Sequence, residues 1–156
     1  MSVEENLRKI DSMVAAFNGH NWARFVGFRA ESVVFYGPDI PEPLKGRDAI
    51  RVRFQGLANA FPDIQVKKER SFGESDWVCL EITVTGTHKG PLTGPGGETI
   101  PATNKPIRFR NCIVGKFEGG EVTEEREYWD LFGMLAQFGL APRGGRHRHH
   151  RERAGG

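Results

Sequence analysis

Asp130 is, by residue type and position, the strongest candidate for chemistry in this chain. In the stretch EVTEEREYWDLFGMLAQFGL, residues 121–140, polar and apolar residues alternate as in a strand through Trp129. Leu131, Met134, Leu135 and Phe138 then recur at helical spacing, which puts Asp130 at a strand-to-helix junction. A carboxylate beside Tyr128 and Trp129 can be dehydrated, and drying raises its pKa toward the range of a general base. A plainer role competes, because an aspartate at a helix start caps it by accepting from a free backbone N–H. Two more polar residues sit at positions of inward parity. Asn111 shares the parity of Ile107, Phe109, Ile113 and Phe117 on one strand-like run, so it needs a partner or a ligand. His88 ends the row Val78, Leu80, Ile82, Val84, Gly86. As a strand-end histidine it is either a satisfied surface residue or a donor at a site.

The elements that would position these residues follow from periodicity. Leu7, Ile10, Val14 and Phe17 mark an amphipathic helix over 2–18, a shorter one covers 21–29, and Ile50, Phe54, Leu57 and Phe61 mark a third over 47–60. Strands are expected at 31–37, 63–73, 76–90, 105–118 and 121–130. This order gives an α+β fold with one mixed, mostly antiparallel sheet wrapped around the N-terminal helices. The Gly/Pro-rich connection 89–106 is expected to border a pocket mouth. On the last strand, Val122, Glu124, Arg126, Tyr128 and Asp130 share one parity, so an inward Asp130 would bring Tyr128 and Arg126 with it.

Composition narrows the function classes. A chain of 156 residues is expected to fold as one domain, 1–142, followed by a disordered Arg/His/Gly-rich tail, 143–156. That tail carries a local +4 within a net charge of +2, so the body is near −2 and does not suit nucleic-acid binding. No apolar run reaches bilayer length and no signal peptide is visible, so a cytoplasmic protein is expected. Cys79 and Cys112 lack metal-ligand spacing and are expected to be reduced thiols, and no metal or cofactor is called for.

Five segments in order, AFNGHNWARF, SVVFYGPDIPEPLKGRDAI, AFPDIQV, VTGTHKGPLTGPGGETIPATNKPI and EEREYWDLFGMLAQFGL, resemble the SnoaL-like polyketide cyclases (ester cyclases). They belong to the wider superfamily related to nuclear transport factor 2. The resemblance implies a cone-shaped α+β barrel with a deep apolar pocket, and a homodimer joined through the outer sheet face. It also implies cofactor-free intramolecular aldol closure of a polyketide-like β-keto ester, with a late aspartate, here Asp130, as acid/base. His88 and Asn111 would then donate to the enolate. Tyr128, Trp129, Phe109, Arg126, Tyr36 and Trp22 would line the substrate pocket. Two alternatives stand beside it. One is a cofactor-free epoxide hydrolase, which wants two acids flanking an arginine; Asp130 with Arg110 or Arg126 supplies part of that. The other is a non-catalytic binding protein, or one assisting hydroxylation, for a hydrophobic small molecule.

Overall fold

The computed structural model describes residues 2–94 and 96–140; the expected tail 143–156 lies outside the described residues. Helix α1, Val3–Asn18, starts at Ser2, whose hydroxyl accepts from the Glu5 N–H while the Glu5 carboxylate returns the bond. Helix α2, Trp22–Gly27, is capped by the Asn21 side chain. Strand β1, Arg29–Tyr36, and the short β2, Leu44–Lys45, lead into α3, Arg47–Ala60. Four longer or shorter strands follow as β3, Gln65–Glu74, β4, Trp77–Thr87, β5, Leu92–Thr93, and β6, Thr99–Ile100. The described residues end with β7, Pro106–Glu118, β8, Glu121–Trp129, and α4, Leu131–Gln137.

Six strands form one sheet in the order β2-β1-β8-β7-β4-β3, while β5 and β6 pair only with each other. All pairs are antiparallel except β1 with β8. The fold is thus the expected α+β cone with a mixed sheet. Its longest pairing joins β4 to β7 from Trp77–Lys116 through Thr87–Pro106. The β7–β8 hairpin turns on Gly119 and Gly120, with φ of 56° and 81°, a left-handed pair that suits a two-residue turn between twisted strands.

Alternation on β4 follows the sequence pattern. Val78, Leu80, Ile82 and Val84 are buried against the helices, and Cys79, Glu81 and Thr85 on the other face are half-buried. Cys79 and Cys112 lie on that outer face as free thiols with Sγ atoms 3.4 Å apart. Helix α1 packs across β3 and β4, α3 against β1 and β2, and α4 against β7. Among the described residues no helix is long and apolar enough to cross a membrane.

The last strand departs from simple alternation, and the departure relocates the chemistry. On β7, Lys116 and Phe117 are adjacent, yet their partners on β8 are Glu124 and Val122. Thr123 is therefore an extra, bulged residue, and a bulge of one residue exchanges the faces of everything beyond it. Val122 is buried before the bulge; after it Glu125, Glu127 and Trp129 turn inward. The predicted inward row of Glu124, Arg126, Tyr128 and Asp130 is on the outside.

Candidate active site

The sheet and helices enclose one large cavity of about 940 Å³, within the size range of small-molecule sites. Its walls are mainly apolar. They include Phe17 and Met13 from α1, Leu80 and Ile82 from β4, and Phe109 and Ile113 from β7. The lining also takes in Ile40 and Pro41 and, from the β5–β6 hairpin, Leu92, Thr93 and Ile100. The 89–106 connection thus contributes residues to the cavity wall.

Polar groups in the cavity are few and organised. Arg53, on α3, holds Asp39 in a bidentate pair, Nη1 to Oδ2 at 2.8 Å and Nη2 to Oδ1 at 2.9 Å. The same Nη2 lies 3.7 Å from Oε2 of Glu127. A carboxylate–guanidinium–carboxylate row thus spans the cavity wall, with Arg53 stacked 4.9 Å from the Phe35 ring centroid. Burial opposes the Arg53 charge, but the Asp39 hydrogen bonds and the fields of Glu127, Asp39 and Glu125 outweigh it and raise its pKa. It remains a cation.

Glu127 is the unusual group. Burial pushes its carboxyl from 4.5 up to about 7, helped by the negative charges of Glu125 and Asp39. Arg53 and the Trp129 hydrogen bond pull the other way without prevailing, since Arg53 is already committed to Asp39. Trp129 Nε1–H donates to Glu127 Oε2 at 3.1 Å, which fixes the carboxyl against the tilted Phe109–Trp129 pair. A carboxyl poised near neutrality in an apolar cavity can take or give a proton. Asn111 is directly opposite Trp129 and two residues from Ile113, which faces Glu127, so its carboxamide shares the Glu127 neighbourhood. It is buried, lines the cavity, and its Oδ1 has no hydrogen-bond partner. Deeper still, Arg29 and Glu125 form a buried ion pair at 2.5 and 2.8 Å, capped by the Phe25 carbonyl.

Of the residues singled out in the sequence, Asn111, Phe109 and Trp129 line this cavity. The others do not. Asp130 is exposed and accepts from the Gly133 N–H at 2.8 Å, capping α4; it borders a separate, smaller cleft with Arg108, Arg110 and Gln137. Tyr128 is 58% exposed. Arg126 pairs with Glu124 at 2.6 Å and lies over the Tyr36 ring, so those residues belong to the outer face, for the reason given by the Thr123 bulge. Trp22 packs edge-on against Phe17 and Phe25 in the helical core. His88 is fully buried, with Phe138 and Phe61 rings 4.5 and 5.4 Å away, and its Nδ1 meets Thr103 Oγ1 at 3.0 Å. Burial lowers its pKa, against a backbone contact with Gly90. It anchors the hairpin root and does not reach the cavity.

Glu127, Asp39 and Arg53 were missed by forward counting along each element. Counting backward from Trp129 would have found Glu127. Arg53 would have followed from the second stripe of α3, Ala49, Val52, Arg53, Gly56 and Leu57, which lines the cavity together with the buried Phe54, while Ile50 fills the core.

A family model for SnoaL-like polyketide cyclases matches residues 8–138. The chain belongs to that family. Solved SnoaL-like folds agree with the architecture. AclR from Streptomyces galilaeus, described as a candidate hydroxylase, is 26% identical, with a TM-score of 0.77 over 90% of this chain and 100% of that one. IdmH from Streptomyces antibioticus, a candidate polyketide cyclase, is 22% identical, with a TM-score of 0.70 over 86% and 98%. An epoxide hydrolase of the LEH type from M. tuberculosis is 15% identical, with a TM-score of 0.66 over 87% and 90%. The last two likenesses speak to fold alone. No curated protein matches the chain significantly.

Proposed function

We propose that this SnoaL-like protein catalyses cofactor-free intramolecular aldol closure of a polyketide-like β-keto ester, with Glu127 as the acid/base in place of the expected Asp130. The observation that carries this reading is the buried carboxyl near pKa 7 inside an apolar cavity. The ionised Glu127 removes the proton between two carbonyls, and its neutral form is the one the buried site favours. The enolate oxygen accepts from the Asn111 carboxamide N–H, and Asn111 Oδ1, buried without a partner, accepts from a hydroxyl of the substrate. The enolate carbon then attacks the internal carbonyl, and Glu127 returns its proton to the new alkoxide. No net redox change occurs, and one carboxyl serves both steps.

The test is cyclisation of polyketide-like β-keto esters by the purified protein. Glu127→Gln should lower the rate on the order of 10²–10⁴, the usual contribution of a positioned acid/base. Asp130→Asn should leave it unchanged, because asparagine caps a helix as well as aspartate does. An active Glu127→Gln protein would remove the assignment.

A second reading rests on the Asp39–Arg53–Glu127 row itself. In epoxide hydrolysis, Asp39, hydrogen-bonded to Arg53, would draw a proton from the attacking water while protonated Glu127 donates to the epoxide oxygen. The readings separate on Asp39→Asn: it removes the base of hydrolysis and abolishes that activity, whereas aldol closure keeps its acid/base and changes only through a lower Glu127 pKa.

A further inference from the structure

The cavity-facing stripe of α3 contains a residue that the fold itself does not explain. Gly56 lies in the interior of a 14-residue helix, where glycine is less favourable than alanine. Glycine is usually retained in such places for a left-handed backbone or for a close approach. Neither applies here: its φ is not positive, and a Cβ built on it would meet no heavy atom within 4 Å. Gly90 is the instructive contrast, because a Cβ there would lie 2.3 Å from the Asn59 carbonyl oxygen. Gly56 is exposed and belongs to the cavity lining, on the same helical stripe as the 73%-exposed Val52; Leu92 and Thr93 of the β5–β6 hairpin belong to that lining too.

We infer that Gly56 is the position that sets the width of ligand this cavity accepts. Bare helix backbone at this exposed part of the lining leaves room for a flat, wide apolar molecule that a side chain at 56 would obstruct. The charge of that molecule is constrained as well. Both guanidiniums lining the cavity are committed, Arg29 to Glu125 and Arg53 to Asp39, and no Lys or His lines it among the described residues. An anionic group would enter without a counter-ion, so the ligand carries no negative charge. The inference rests on the cavity being the ligand site proposed above, and is independent of which carboxyl acts as base.

Fluorescence titration with two neutral probes, N-phenyl-1-naphthylamine and the wider Nile red, tests it on the wild type, Gly56→Ala and Gly56→Leu, with thermal melts alongside. Gly56→Leu should bind the narrower probe within about twofold of wild type and weaken the wider one by about tenfold or more, the scale of a misfitted hydrophobic pocket. Gly56→Ala should raise the Tm through helix propensity and weaken the wider probe in the same direction, by less. Unchanged affinity for Nile red in both variants would overturn the inference alone. Absence of binding by the wild type would overturn it together with the cavity reading.

Discussion

Glu127 and Asp130 stand three positions apart and behave oppositely, because one is inside the cavity and the other is in water. Asp130 spends its carboxylate on the Gly133 N–H and is exposed, so it is a helix cap. Glu127 loses hydration without gaining a dedicated cation, and its carboxyl rises to about 7. The sign of the stability effect follows. With a folded pKa above the ordinary 4.5, the stabilising contribution is complete below about pH 4.5 and is lost as pH rises through 7. A displacement of this size corresponds to on the order of 3 kcal/mol. Glu127→Gln should therefore gain stability relative to wild type between pH 5 and pH 8.5, as read by urea melts at both pH values. A difference that does not change with pH would contradict the burial of an ionisable Glu127.

At the scale of elements, regular parts were legible and irregular ones were not. Uninterrupted alternation assigned the faces of β4 correctly, because the side-chain period in a strand is two and nothing interrupts it between Trp77 and Thr87. The same counting failed on β8, where one extra residue at Thr123 exchanges the faces; a bulge leaves little trace in local composition. Asn111, on an unbulged part of β7, was placed correctly for the same reason that Asp130 was not. The β5–β6 hairpin pairs with no other strand, and a lone two-stranded hairpin is marginal in water. Its root is held where the Lys89 and Gly90 N–H groups donate to the Ala60 carbonyl at 2.9 and 3.1 Å. Gly90→Ala should therefore cost about 1–3 kcal/mol, because the added carbon meets backbone that cannot yield. Equilibrium unfolding measures this, and a neutral result would mean the root is not clamped as described.

At the scale of the molecule, the order of elements and the family were readable from five sequence segments, whereas the charged row of the cavity was not. Asp39, Arg53 and Glu127 come from a loop, a helix and a strand, and only the closed fold brings them together. The outer sheet face is a separate matter of assembly. Cys79, Glu81 and Thr85 are half-buried there with Arg126, Tyr36 and the exposed Tyr128 nearby on the sheet. We expect two copies to join through this face, as a self-complementary two-fold contact. Sedimentation equilibrium at micromolar concentration should give the mass of a dimer, and a monomer would remove the expectation.

The central claim is that Glu127 is a carboxyl poised to exchange a proton near neutrality, and it can be tested without knowing the substrate. Carbon-13 NMR of protein labelled at the glutamate carboxyl carbons, followed from pH 3 to pH 9, reports each carboxyl separately. One glutamate resonance should show a midpoint near 7 and be absent from the Glu127→Gln spectrum. If the resonance assigned to Glu127 titrates near the ordinary 4.5, the carboxyl is an ordinary ion-pair member and the acid/base assignment fails.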